Sequence, residues 1–118
     1  MRIIDSGRVV PTTSVKRCVA FYTEVLFFTK VSESRDRCTV ALGSNEVVFR
    51  KGHKNEVRSL REIGFCLDFR VSDIRDYYER VRATGRAEIT FELEFMQPGV
   101  WQFVIVDWNG YPVGFAMC

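Results

Sequence analysis

Two short stretches of this chain carry side chains able to do chemistry, and both read as β-strands. In IGFCLDFRV, residues 63–71, Cys66, Asp68 and Arg70 alternate with Phe65, Leu67, Phe69 and Val71. Period-two alternation puts a thiol, a carboxylate and a guanidinium on one face of a strand and apolar side chains on the other. In AEITFELEF, residues 87–95, the same alternation separates Glu88, Thr90, Glu92 and Glu94 from Ile89, Phe91, Leu93 and Phe95. A carboxyl whose pKa is raised by burial, Asp68 or Glu92, could serve as a metal-free general acid or base. Cys66 could act as a nucleophile only beside an activating base or cation, and Arg70 is the candidate; otherwise it is an inert thiol. Structural readings compete: Asp68 and Arg70 can pair with each other, and Glu92 and Glu94 can form the wet face of a half-exposed strand.

A third stretch poses a sharper question. In VIVDWNGYPVGFAMC, residues 104–118, Tyr111, Val113 and Phe115 are large, whereas Pro112, Gly114 and Ala116 leave the opposite face nearly bare. A bare strand face admits a ligand ring against the backbone, or else marks a close strand crossing or bulge. The single histidine, His53, sits in the charged segment KGHKNEVRSLRE and reads as a solvated loop residue rather than a metal ligand.

The elements that must position these groups follow from pattern. Ser14 precedes apolar residues at Val15, Cys18, Val19, Tyr22, Val25 and Leu26, a capped helical stripe. Ser72 precedes Ile74, Tyr77, Tyr78 and Val81, with Gly85 as a stop, which predicts a second helix. A strand-like run leads into each helix, residues 3–12 and 63–71, and three more strands follow each, so both halves read β-α-β-β-β. Asn109-Gly110 closes the last hairpin. The fold class is α+β, one domain over residues 1–118, with a first module at about 1–52, a polar linker at 51–62 and a second module at about 63–118.

Composition narrows the partners. With 47% hydrophobic and 27% charged residues the chain is of ordinary globular type. A net charge of +2 with scattered basic residues lacks the stripe that tracks a phosphate backbone, which argues against nucleic acid. No apolar run approaches the roughly 20 residues that span a bilayer, and MRIIDSGRVV lacks a signal-peptide core, so a cytoplasmic protein without membrane association is expected. Four cysteines without a C-x-x-C pair read as reduced thiols.

The stretches SVKRCVAFYTEVLFF, FRVSDIRDYYERVRATG and FVIVDWNGYPVGF, in this order and spacing, resemble the vicinal oxygen chelate superfamily of glyoxalases, bleomycin-resistance proteins and extradiol dioxygenases. The resemblance implies two βαβββ modules whose curled mixed sheets form a cavity, in a homodimer with modules exchanged between chains. It implies a pocket at Cys66, Asp68, Trp101 and Phe103, with the acidic face at Glu92 and Glu94 and a floor at Pro112 and Gly114. Two departures stand out. Leu26-Phe27-Phe28 puts phenylalanine where the family commonly carries a helix-ending glycine. The positions matching the family's metal ligands are Gly7, Glu46, Cys66 and Gly114, which leaves at most two donors where a catalytic ion wants about three. The expectation is a non-catalytic binder that sequesters an antibiotic or another hydrophobic, cationic small molecule without a cofactor or metal, and with no catalytic residue. The alternative is a glyoxalase-like lyase, isomerase or dioxygenase whose divalent metal sits in a non-standard set of Glu46, Cys66 and Asp68.

Overall fold

Residues 2–3, 9–96 and 99–117 are described by a computed structural model of the chain. Helix α1, Val15–Glu24, begins where Ser14 takes an extended backbone and its Oγ accepts from the Arg17 amide at 3.2 Å. Val15, Cys18 and Tyr22 are its buried stripe. Past the helix, Phe27 takes φ +60°, the left-handed conformation that favours glycine, and the Phe28 amide donates to the Tyr22 carbonyl at 2.9 Å. The chain therefore turns as the resemblance implies, with phenylalanine bearing the strain. Its ring lies 4.4 Å under the Arg80 guanidinium.

Among the described residues nine strands form two sheets. Strands β2 (Val9–Thr12), β3 (Thr29–Glu33), β4 (Arg37–Leu42) and β5 (Asn45–Lys51) make one, in the order β2-β5-β4-β3. Strands β1 (Arg2–Ile3), β6 (Cys66–Arg70), β7 (Glu88–Met96), β8 (Val100–Val106) and β9 (Pro112–Met117) make the other, in the order β1-β6-β9-β8-β7. The order β6-β9-β8-β7 repeats that of the first sheet, with one parallel pair (β2 with β5, β6 with β9) beside antiparallel hairpins in each. This is the α+β arrangement of two βαβββ modules. The run at 3–12 is not one strand: Arg2 and Ile3 pair with β6, whereas Val9–Thr12 pair with β5 in the other sheet.

The segment at 51–62 is not a loose linker. It contains helix α2, Lys54–Glu62. His53 is its N-cap, accepting from the Asn55 amide at 3.2 Å, while Glu56 reaches back to the His53 amide at 3.0 Å. Glu56 also pairs with Arg50 at 2.6 Å, and that hydrogen bond holds its carboxyl at about 2, below the usual range. Val57 is buried and Leu60 packs against the core, an apolar pair three residues apart hidden among charges.

Helix α3, Ile74–Ala83, capped by Asp73, buries Ile74, Tyr77, Tyr78 and Val81 against the second sheet. The apolar faces of both modules meet in one core. Phe28 meets Phe69 edge-on at 5.1 Å between ring centroids, Phe103 stacks on Phe115 at 5.0 Å, and the Tyr77 hydroxyl donates to the Leu26 carbonyl at 2.6 Å. Rigid aromatic packing of this kind holds the second sheet in place and leaves the sheet face turned away from α3 to be furnished by the alternate residues.

Candidate functional site

Along β6 and the residue before it, Phe65, Leu67 and Phe69 are buried while Cys66 and Asp68 are half-buried and Arg70 is exposed, the alternation expected from the sequence. Register carries that split across the sheet. Asp68 lies beside Gly114, Gly114 opposite Val104, and Val104 opposite Phe91, giving one cross-strand row on the face away from α3. The neighbouring row is Arg70, Ala116, Gln102 and Glu94. Asp68 and Glu94 thus stand at diagonal corners, Arg70 and Phe91, the latter 49% exposed, at the other two, with Gly114, Ala116, Val104 and Gln102 between them.

Gly114 does not leave open room. A Cβ added there would meet Asp68 Oδ1 at 2.7 Å, so the bare position is occupied by the carboxylate of the adjacent strand. A side chain at 114 would collide with it, which is why the residue is glycine. The Cys66 thiol lies 3.8 Å from Asp68 Oδ2, donating to it.

Three of the residues expected in the pocket lie elsewhere. Phe103 is fully buried under α3, pairing with Phe115 and touching Tyr77 and Tyr78. Trp101 shares that face, two residues along the same strand; its ring carries the Arg75 guanidinium at 5.1 Å and meets Phe95 at 5.3 Å. Period two forces both away from the Gly114 row. Glu92 also points to the helix side, where the Tyr78 hydroxyl reaches its carboxylate at 3.4 Å. The cause is irregular pairing: between Ile89 and Glu94 the register of β7 on β8 shifts twice, and each shift turns later side chains over. The same shifts bring Phe91 onto the outer face, against the plain alternation that would put it under the helix. Pro112, Gly114, Cys66, Asp68 and Glu94 remain on the outer face, with Glu94 three strands across from Cys66 and Asp68.

The donors do not fit a divalent ion. Glu46 lies on β5 in the first sheet, Cys66 and Asp68 on β6 in the second, and Gly114 offers no donor. Among the described residues no three of His, Cys, Asp and Glu gather into a possible metal site. Gly7 lies outside the described residues. His53 is exposed and spends its Nδ1 on the helix cap.

The carboxyl that the structure does perturb is Asp107, in the last hairpin. Burial pushes it up to about 6, against hydrogen bonds from the Tyr22 hydroxyl at 2.7 Å and the amides of Tyr111 and Asn109 at 3.0 and 2.9 Å. Thr12 Oγ1 donates to Asn109 Oδ1 at 2.7 Å, so the same network joins β2 of the first module to the turn of the second. With its lone pairs this fully used and 4% exposure, Asp107 is an anchor for the hairpin and not an acid or base facing a ligand.

Two clefts of about 350 Å³ each had no sequence signal. One lies between the β4–β5 turn and the start of α3, with Asn45, Arg70, Asp73 and Arg80 on its walls; the other lies between β2 and α2, with Pro11, Leu60 and Phe65. Both arise where elements distant in sequence meet, and no local motif marks such meetings.

The chain has the fold of proteins described as glyoxalase/bleomycin resistance protein/dioxygenase and of bleomycin resistance proteins. A glyoxalase/bleomycin resistance protein/dioxygenase from Alicyclobacillus acidocaldarius superposes with a TM-score of 0.76 at 14% identity, over 99% of this chain and 89% of that one. The bleomycin resistance determinant encoded on transposon Tn5 gives 0.74 at 19% identity, over 92% of both chains. The bleomycin-binding protein of bleomycin-producing Streptomyces verticillus, in complex with copper(II)-bleomycin, gives 0.70 at 20% identity, over 91% of this chain and 89% of that one. No protein-family model and no curated protein sequence matches the chain. Among the described residues no helix is long and apolar enough to cross a membrane.

Proposed function

We propose that this protein binds and holds a hydrophobic, cationic small molecule, an antibiotic being one such compound, without transforming it. The binding surface is the face of β6, β9, β8 and β7 turned away from α3, and the protein works in the cytoplasm without metal or cofactor. The observation that carries the reading is the pair of cross-strand rows there: Ala116, Val104 and Gln102 form the centre, the Asp68 carboxylate lies over Gly114 with Arg70 next along its strand, and Phe91 and Glu94 stand at the far edge. A planar apolar cation would gain from burial against the centre, from the Phe91 ring and from both carboxylates. The bleomycin-binding neighbour lends support by analogy of fold.

A single platform covers a ligand on one side only, and buried sites need two walls. The second wall in this proposal is another copy of the chain, giving a homodimer with two equivalent sites. The packed helix α2 argues for a dimer of intact chains rather than one with modules traded through a flexible tether.

The test is a thermal-shift and calorimetric series with bleomycin and with planar aromatic cations, run beside divalent metals. Binding of a cation should raise the melting temperature, and Phe91→Ala should weaken it about tenfold, near 1.4 kcal/mol. Glu94→Gln should weaken a cation more than a neutral analogue. Stoichiometric metal uptake with turnover of a substrate would replace this reading by the lyase or dioxygenase alternative, and a strictly monomeric protein would remove the second wall.

A further inference from the structure

Helix α3 carries an acid and a base that do not close on each other. Asp76 and Arg80 stand four residues apart with the acid nearer the N-terminus, the spacing and order that favour an ion pair on a helix surface. On the same helix Glu79 and Arg82 do pair, at 3.7 Å. Among the described residues Asp76 and Arg80 form no ion pair, with each other or with any other side chain. The Arg80 guanidinium lies instead 4.4 Å over the ring of Phe27, the one non-glycine among the described residues at positive φ. Both unpaired charges stand on the wall of the cleft of about 350 Å³ between the β4–β5 turn and the start of α3. The facing wall is fixed by Asn45, whose Nδ2 donates to the Leu42 carbonyl at 3.1 Å and to the Arg70 carbonyl at 2.9 Å, tying the turn of the first module to the end of β6 in the second. With both amide hydrogens spent, Asn45 offers its Oδ1 as an acceptor. A Cβ on Gly43 would meet nothing within 4 Å, so the turn leaves the mouth open.

We propose that this cleft is a second binding site, for a zwitterionic small molecule of the apolar amino-acid class. Its carboxylate lies on Arg80, its ammonium between Asp76 and Asn45 Oδ1, and its side chain against Leu42, Val71 and Tyr77, which supply the apolar part of the wall. Charge balance selects the class. Arg70 and Asp73 also line the cleft, so each sign is present twice. A simple anion would meet two carboxylates and a simple cation two guanidinium groups, whereas a molecule with both charges finds an opposite for each. The volume is at the small end of those that hold organic ligands, which suits an amino acid. Phe27 is a positioning residue here. Glycine at 27 would remove the strain of φ +60° but free Arg80 to fall onto Asp76, closing the pair across the space the ligand occupies. The cleft meets the outer face of the second sheet only at Arg70, and it holds its ligand whether or not that face binds one.

The experiment titrates the isotope-labelled full-length chain with L-leucine and with L-phenylalanine and follows its amide NMR shifts. N-acetyl-L-leucine, which lacks the ammonium, and L-leucinamide, which lacks the carboxylate, are titrated beside them. The expected result is saturable binding of both amino acids, with shifts gathered at residues 42–45 and 70–80, and about tenfold weaker binding of either analogue. Arg80→Gln should bring leucine down to the level of leucinamide, and Asp76→Asn to that of N-acetyl-leucine. Both are surface changes, so the fold is kept. Phe27→Gly, which touches neither ligand charge, should weaken leucine several-fold, about as much as a misplaced guanidinium costs. The proposal is overturned if neither amino acid saturates by roughly 10 mM, if the analogues bind as well as leucine, if Arg80→Gln and Asp76→Asn leave leucine binding unchanged, or if the shifts gather on the outer face of β8 and β9 instead.

Discussion

Replacing Gly114 by alanine puts the central observation of the site at risk. The new Cβ would stand 2.7 Å from Asp68 Oδ1, closer than carbon and oxygen tolerate, while its next neighbours, Asp68 Cγ and the Leu67 carbonyl oxygen, lie at an ordinary 3.8 Å. One side chain has to move, and nothing else. Driving Asp68 from its rotamer costs about 0.5–1.5 kcal/mol, and the displaced carboxylate weakens its contact with the Cys66 thiol. Against this, removing a strand glycine returns roughly 0.5–1 kcal/mol of chain entropy. Gly114→Ala alone should therefore fall within about 1 kcal/mol of the parent. The decisive quantity is the double-mutant coupling: in an Asp68→Ala background the collision is gone and only the entropy gain remains, so Gly114→Ala should stabilise by about 0.5–1 kcal/mol, giving a coupling of about 1–2 kcal/mol. Urea unfolding at constant m-value measures all four corners of the cycle. Additive effects would refute the claim that glycine is there to admit the aspartate.

Two further expectations concern the parts that hold the site. Phe27→Gly and Phe27→Ala both lose the Arg80 stack, but only alanine must still sit at φ +60°, so the glycine variant should be the more stable of the two by about 1 kcal/mol in denaturant melts. Asp107 has its folded-state pKa raised from 3.8 to about 6. Its contribution is therefore full below about pH 4 and lost as pH rises through 6, up to about 3 kcal/mol in all, and the stability of wild type minus that of Asp107→Asn should fall across this window and be flat above it. A difference that rises from pH 4 to pH 6 would mean that the hydrogen bonds outweigh burial.

Much of the fold was legible in the chain because it is written in periodicity. The cap at Ser14, the stripes through Tyr22 and Tyr78 and the alternation at Phe65 to Arg70 each depend on neighbours within a few residues, and each appears in the structure, whereas the cap of α3 is Asp73 rather than Ser72. Helix α2 escaped because its apolar content is only Val57 and Leu60 and its cap is a histidine, an uncommon N-cap residue. The errors at the site share one origin. Trp101 and Phe103 were expected beside Gly114 from the family resemblance, yet the parity of β8 against β9 sends them under α3. Glu92 and Phe91 traded faces because β7 slips twice on β8, and slips between paired strands leave no mark in one strand's own sequence.

The sequence by itself determined the two βαβββ modules and the starts of α1 and α3, since these depend on residue type and local spacing. Only the tertiary structure decided that the empty place at Gly114 is filled by Asp68 and that Phe91 joins the outer face. Each of these pairs residues far apart in the chain or on different strands, where register and packing, rather than local preference, set the distance.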